Sequence, residues 1–489
     1  MNEFSRLLSS IVSKKSISIS QMAAFCRIDR SSMYKIVHGS RKPSSEELVS
    51  QIALYLKLSP EETAILMEKY RIIQIGPEKY VHRKAVYSFL KSCFDYAPAF
   101  SPLSLPDDAG SDLPPDRQTR VLYGETNLMN AFGMIIQEEM SRPDGLLNIR
   151  MQPRKPFINL IRTIVGDGTG EGSLRIRHVF ALDGNDVMGD SVLHNLDLLS
   201  SLMPACKIIP DYELYYYYTN LHNGLVAFYF LPYAVISGSC VLQFSVDLQF
   251  AVLHREPETI AFFNRIFDGI ITGSIPLLSK VRDYRDLIYY TNQSRAGQSP
   301  VSFQMFPCLN YTLTEEILQR YVDKVLDQRS FVIMAVLEQG RKDLDSIAGS
   351  PSVIITSEQG ILRFIECGGL PEYHSDMYDP IRPADRLEIL RKYEEIIHKY
   401  KVSFYMVKET FGNTASETGI WVEDKKASIM LQDQRGSIRL MTIQDPGILA
   451  LLFDFFHNPP DILFHNTETS LGYLHRIIED YSRIISQEP

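Results

Sequence analysis

Residues 20–43, SQMAAFCRIDRSSMYKIVHGSRKP, constrain this chain more than any other stretch. Residues 21–26 predict a short helix with Met22, Ala23 and Phe25 turned inward. After a break at Arg27, Asp29 is placed to cap a second helix over 30–38 by accepting a bond from an N–H of its first turn. Met33, Ile36 and Val37 fall at i, i+3 and i+4, an apolar stripe that leaves Arg30, Ser31, Tyr34 and Lys35 off it. Gly39 ends the second helix, and Arg41 and Lys42 follow in the turn before Pro43. Two short helices joined by a tight turn, with small polar and cationic side chains at the start of the second, make a helix-turn-helix pattern.

In such a motif the start of the second helix faces base edges in the major groove, and the first helix crosses the backbone. Arg30 suits guanine, Ser31 and Ser32 suit bases or phosphates, and Arg41 and Lys42 suit phosphates. Read as a whole, Arg27-Ile28-Asp29-Arg30-Ser31-Ser32-Met33-Tyr34-Lys35-Ile36-Val37-His38-Gly39 resembles the recognition segment of the lambda-repressor/Cro-like, or XRE, family. Ser20-Gln21 looks like that family's opening of its second helix, Ala23-Ala24 its small-residue contact, and Pro43-Ser44 its entry to the fourth helix. The turn position usually held by glycine carries Arg27. The resemblance covers residues 1–70 and implies a DNA-binding set of Gln21, Arg30, Ser31, Ser32, Tyr34, Lys35, Arg41 and Lys42. It further implies double-stranded DNA as partner and action as a homodimer.

Around this motif the chain reads as several parts. Residues 4–14 predict the first helix of the module, Ser44 or Ser45 caps a later one, and Ser59-Pro60 starts one more, closing a helix-turn-helix domain over 1–70. Residues 71–95 read as a bracing helix. Residues 96–120, with Pro98, Pro102, Pro106, Pro114 and Pro115, read as a linker without helical or strand period. The module carries ten Lys/Arg against seven Asp/Glu in a chain whose net charge is −9, so the basic end is the one with the DNA motif.

Residues 121–489 alternate strand-like and helix-like stretches, which predicts α/β layers with mixed sheets. Residues 248–270 and 436–458 share a strand, an acidic residue followed by proline (Glu256-Pro257, Asp445-Pro446) and an apolar helix. A strand over 174–182 matches one over 360–365, and a hairpin over 225–246 matches one over 419–431. The predicted fold class is therefore multidomain, an all-α helix-turn-helix domain followed by a duplicated α/β region, lobe 1 over 121–290 and lobe 2 over 291–489. This element order resembles the two-lobed phospholipase-D-like fold, whose HxK signature the sequence lacks.

Searches for chemistry find little. The six cysteines are scattered with no CxxC, which predicts buried reduced thiols and no metal. Gly166-Asp167-Gly168-Thr169-Gly170 lacks the Lys-Ser/Thr of a P-loop and reads as a hairpin loop. The apolar run 225–236 falls short of the ~20 residues that span a bilayer and is broken by Pro232, so a cytoplasmic location without membrane contact is expected. The dense aromatic patch around 212–233 reads as core packing or as a pocket in which Tyr215, Tyr217, Tyr229 and Tyr233 orient a ligand. The reading that emerges is a DNA-binding transcriptional regulator, not an enzyme and without cofactor. Its C-terminal region dimerises and senses a small molecule or peptide. The alternatives are a DNA-targeted hydrolase or nuclease and a protein-interaction scaffold.

Overall fold

The computed structural model describes residues 2–95, 118–165, 174–184, 189–209, 211–219, 231–280, 300–323, 329–370, 373, 377–411, 417–432 and 438–487. They form two compact units, Met1–Ala85 and Val86–Pro489.

The first unit is helical: α1 (Glu3–Lys14), α2 (Ile19–Phe25), α3 (Arg30–Val37), α4 (Glu46–Tyr55), α5 (Pro60–Ile75) and the first half of α6 (Pro77–Phe94). Each of the first five helices is started by its own cap, with Asn2, Ser18, Asp29, Ser45 and Ser59 accepting from a first-turn N–H. At the other end, α1, α2 and α4 close with a left-handed residue, Ser16 (φ 52°), Arg27 (φ 53°) and Lys57 (φ 50°). The next residue's N–H reaches back to the helix, as in Ile17 to Val12 at 3.0 Å and Ile28 to Ala23 at 3.1 Å. Phe4, Leu8, Met22, Met33, Ile36, Val49, Ile52 and Leu66 fill the core these helices enclose. Each such buried aliphatic or aromatic side chain contributes about 1.5–3 kcal/mol.

Phe25 departs from the sequence expectation. The inward stripe of α2 runs Met22, Ala23, Cys26, which turns Phe25 outward; it is 47% exposed and its ring lies 5.2 Å from that of Tyr55. The unit also runs past Tyr70, because α5 continues to Ile75 and Glu68 binds Tyr80 and Lys84 of α6 at 3.1 and 3.2 Å. The boundary between units falls inside α6, ahead of the proline-rich stretch, of which residues 96–117 lie outside the described residues. From Val86 onward α6 belongs to the second unit: Phe94 packs 4.6 Å from Phe303, and Lys207 Nζ caps the helix end by donating to the Ser92 and Asp95 carbonyls at 3.2 and 2.6 Å.

The second unit is built on one sheet. Its strands are β1 (Thr119–Tyr123), β2 (Leu146–Arg150), β3 (Arg175–Asp183), β4 (Tyr212–Thr219), β5 (Tyr233–Ile236), β6 (Val241–Phe244), β7 (Phe250–His254), β8 (Ile275–Lys280), β9 (Val301–Gln304), β10 (Val353–Thr356), β11 (Ser403–Val407), β12 (Gly419–Glu423), β13 (Lys426–Gln432), β14 (Ile438–Ile443) and β15 (Phe464–His465). Their order across the sheet is β1-β7-β6-β5-β2-β3-β4-β8-β14-β13-β12-β9-β10-β11-β15. Helices α7 (Glu125–Met140), α8 (Lys155–Val165) and α9 (Asp190–Ile208) pack together, α7 against β1, β2 and β7 and α9 against β3. Helix α10 (Pro257–Thr272) packs over β2, β5 and β6. Further along the chain come α11 (Glu315–Tyr321), α12 (Arg329–Gly349), α13 (Glu358–Cys367), α14 (Pro383–Lys399), α15 (Pro446–His457) and α16 (Thr467–Gln487). Apolar residues of α11 to α14 and α16 join those of β10 and β11 in one core cluster.

The duplicated pair of lobes expected from the sequence is not what the chain forms. The sheet is continuous: β8 hydrogen-bonds β4 on one side and β14 on the other, so no crevice between two sheets separates 121–290 from 291–489. Nor do the elements repeat in order. Residues 360–365, expected as the counterpart of β3, lie within α13, which Ser357 caps through Gly360 N–H at 2.9 Å and which buries Ile361 and Phe364 one turn apart. None of the six cysteines forms a disulfide; five are buried as predicted and Cys367 is exposed. Among the described residues, no helix is long and apolar enough to cross a membrane.

Candidate nucleic-acid interface

The polar face of α3 follows from its two ends. At the start, the Asp29 carboxylate accepts from Ser32 N–H at 2.8 Å, and the bonds from Ser32 hold its carboxyl below the usual range. With the turn thus fixed, Met33, Ile36 and Val37 go into the core and Arg30, Ser31, Tyr34, Lys35 and His38 are exposed. The Tyr34 and His38 rings lie one turn apart with centroids 4.1 Å from each other and planes tilted by 44°. At the far end Gly39 takes φ 81°, and Ser40 N–H bonds the Lys35 carbonyl at 2.8 Å. A side chain at Gly39 would be strained in this left-handed turn, which sends the chain back along the helix. Arg41 is thereby brought to Ser32, its Nη1 donating to Ser32 Oγ at 2.7 Å. The sequence treats Arg41 as a separate phosphate contact; the structure sets it against α3. Gln21 and Lys42 are exposed on either side.

Charge on this unit is divided. Four of its acids are engaged away from α3: Glu3 with Lys69 at 2.6 Å, Glu46 with Arg71 at 2.9 Å, Glu68 with Lys84 at 3.2 Å, and Glu62 in the capping box with Ser59. Among the described residues Arg27, Arg30, Lys35 and Lys42 form no ion pair. The arrangement presents guanidinium, ammonium, hydroxyl and amide donors to solvent, the chemistry that phosphate oxygens and purine edges accept.

The aromatic patch of the second unit has another character. Tyr215 and Tyr217 are half-buried and pack with Val179, Ile236, Val241 and Phe267 beneath α10, and the Tyr215 hydroxyl donates to Glu213 Oε2 at 3.0 Å. Tyr233 lies 5.5 Å from the Phe244 ring, its phenol pushed up by burial. Tyr229 lies outside the described residues, as does the glycine-rich stretch 166–170. Two cavities, of about 50 and 30 Å³, occur near β9–β10 and around α11–α12, and none of these tyrosines lines either. Each has room for one to a few waters, against ~300–1,000 Å³ for a typical ligand pocket. Among the described residues no group of His, Cys, Asp or Glu is arranged to hold a metal.

A buried polar network escaped the sequence reading. Asp445 caps α15 by accepting from Ile448 N–H at 2.8 Å, and its other oxygen accepts from Asn195 at 3.4 Å and Tyr218 at 3.2 Å. Asn195 also brackets Asp183, accepting from its N–H at 2.8 Å and donating to its carbonyl at 3.0 Å, while Ser191 donates to the Asp183 carboxylate at 2.9 Å. The only local trace of this network is Asp445-Pro446 ahead of an apolar run, the signature of a capped helix with proline in its first turn.

No protein-family model matches the chain, and no curated protein does. Solved structures similar to parts of it include TrmBL2, an archaeal chromatin protein, at 9% identity over 56% of this chain and 94% of that one, with a TM-score of 0.22. Polyphosphate kinase from Porphyromonas gingivalis is similar at 10% identity over 69% of this chain and 50% of that one, TM-score 0.21. Phosphatidylserine synthase from Haemophilus influenzae Rd KW20 is similar at 9% identity over 83% and 98%, TM-score 0.23. Scores this low define no common fold, and the functional reading rests on the residues themselves.

Proposed function

We propose that the first unit binds specific sites on duplex DNA through α3, and that the protein is a transcriptional regulator of the lambda-repressor/Cro-like kind rather than an enzyme. The observation that carries this reading is the solvent-facing side of a capped α3, where Arg30 and Lys35, with Lys42 beyond, form no ion pair among the described residues while Glu3, Glu46 and Glu68 of the same unit are paired with other cations. Arg30 at the first position of the helix is the base reader, Ser31 and Ser32 line the same end, and Lys42 is a phosphate contact. Arg41, bonded to Ser32, positions that hydroxyl as well as adding charge. Two copies would read half-sites about one helical turn, ~34–36 Å, apart. A small molecule or peptide acting on the second unit would alter that pairing.

The test is a duplex selected from a random library and followed by fluorescence anisotropy across salt concentrations. Arg30→Ala loses ~1–3 kcal/mol at one base position and relaxes the preference there. Lys42→Ala weakens all sequences alike and lowers the salt slope by about one per module. Equal affinity of the unaltered chain and Arg30→Ala for the selected duplex refutes the assignment.

A further inference from the structure

Among the described residues, the β1 end of the sheet is covered on one face only. Along β1 and β7 the side chains alternate: Leu122, Ala251 and Leu253 are buried on the side of α7, whereas Val121, Tyr123 and Phe250 point to the opposite face. There Tyr123 is 65% and Phe250 53% exposed, their rings 6.1 Å apart. That opposite face is the one on which α10 lies, since Val241 of β6 is level with the same side and packs on Phe267 of α10. Helix α10 makes its main contacts with β2, β5 and β6, and β7 and β1 lie beyond them in strand order. Two strands ~4.8 Å apart leave a shelf roughly 10 Å wide, the diameter of one helix.

Helix α10 supplies the matching shape. In PETIAFFNRIFDGIIT only Phe267 is fully buried. Phe262 and Ile266, one turn apart, are 57% and 42% exposed, and Gly269 continues their stripe with open space where a Cβ would stand. One face of the unit therefore holds an uncovered apolar shelf as wide as a helix and a helix with an uncovered apolar stripe. We infer that a second copy of this chain fills both at once, α10 of each copy lying across the β1–β7 shelf of the other about a two-fold axis. Self-complementarity of one patch is what a two-fold interface requires. Tyr123, Phe250 and Phe262 expose roughly 100 Å² apiece. With Val121 and Ile266 a copy offers about 450 Å², over half the ~800 Å² that each partner buries in a standard interface. Exposed Glu258 and Arg265, both on the stripe's side of α10, supply opposite charges to its rim, and reversal of the helix by the axis turns Glu258 toward Arg265 of the partner subunit.

The inference concerns the second unit and is independent of the DNA reading, so it is tested on the full chain without DNA. Sedimentation velocity at micromolar concentration is expected to show a dimer, and Phe262→Asp and Tyr123→Asp each to raise its Kd by at least ~30-fold, the loss of one aromatic anchor. Circular dichroism and unfolding midpoints of both variants are expected to match the unaltered chain, because both side chains are exposed. Independently, in a Cys367→Ser background that removes the exposed thiol, chains carrying Phe262→Cys mixed with chains carrying Tyr123→Cys are expected to form a mixed disulfide between copies. A monomeric unaltered chain, a dimer that survives both aspartates, or the absence of a 262–123 mixed disulfide between copies overturns the inference.

Discussion

His178 on β3 offers a quantitative test of the second unit. It is fully buried, with Nε2 2.9 Å from the Met151 carbonyl and Nδ1 2.7 Å from the Tyr212 hydroxyl. A carbonyl can only accept, so Nε2 carries the proton, and Nδ1 accepts from the phenol, which satisfies a neutral ring. Burial disfavours the imidazolium and holds the pKa down to about 4, against 6.5 for an ordinary histidine. The sign follows directly. Above pH ~6.5 the ring is neutral whether the chain is folded or not, and it contributes no pH dependence. Between ~6.5 and 4 the unfolded chain binds the proton and the folded one resists it, so stability falls as pH falls. At pH 5 the loss is about 2 kcal/mol and it approaches about 3 kcal/mol near pH 4. That is a large fraction of the ~5–15 kcal/mol by which a typical domain is stable. The chain's single tryptophan, Trp421, lies buried on β12 of the same unit and reports its unfolding by fluorescence. Urea titrations at pH 7 and pH 5 on the unaltered chain and on His178→Gln give a double difference. The variant is less stable at both values, yet its deficit is expected to shrink by about 2 kcal/mol at pH 5. Parallel pH dependences for the two chains would refute a buried neutral histidine.

The same fluorescence assay checks three further expectations. A Cβ at Gly360 would stand 2.0 Å from the Met305 carbonyl oxygen, so Gly360→Ala is expected to lose about 1–3 kcal/mol, whereas Gly472→Ala in α16, with nothing within 4 Å, is expected to gain about 0.5–1 kcal/mol. Asp445→Ala removes the α15 cap and strips Asn195 and Tyr218 of their shared acceptor, for an expected loss of about 2–4 kcal/mol, with Asp445→Asn recovering part of it.

The helical unit was legible because its decisions are local. Asp29, Ser45 and Ser59-Pro60 sit within three residues of the N–H groups they cap, and Met33, Ile36 and Val37 declare a face within two turns. Phe25 was misread because α2 has seven residues, too few for periodicity to fix which face is buried. The sheet unit depends on distant partners. Residues 360–365 are a short apolar run that resembles a strand, and what decides for helix is the Ser357 cap together with a glycine able to touch the Met305 carbonyl. Nothing near β8 announces that it joins β4 to β14, and the contact of Asn195 with Asp445 spans 250 positions. Of the candidate site, the exposure of Arg30, Ser31, Tyr34 and Lys35 was readable from the stripe they avoid. The bond from Arg41 to Ser32 was not, because it depends on how Gly39 turns the chain.

The left-handed helix ends bear on how this protein can change. Ser16, Arg27 and Lys57 in the first unit and Lys401 in the second adopt φ of 50–53°, a conformation that disfavours any side chain by ~1–2 kcal/mol relative to glycine. In each case an aliphatic residue follows, Ile17, Ile28, Leu58 or Val402, and both its N–H and that of the left-handed residue bond back to the helix, so the turn is held by backbone bonds and not by the side chain that bears the strain. The chain thus keeps a reserve of thermal tolerance at four single-codon addresses. Three of them draw on that reserve without touching α3. The fourth, Arg27, joins α2 to α3, where the same change would also delete an exposed cation, so under the proposed function heat resistance and DNA affinity would be selected in opposite directions.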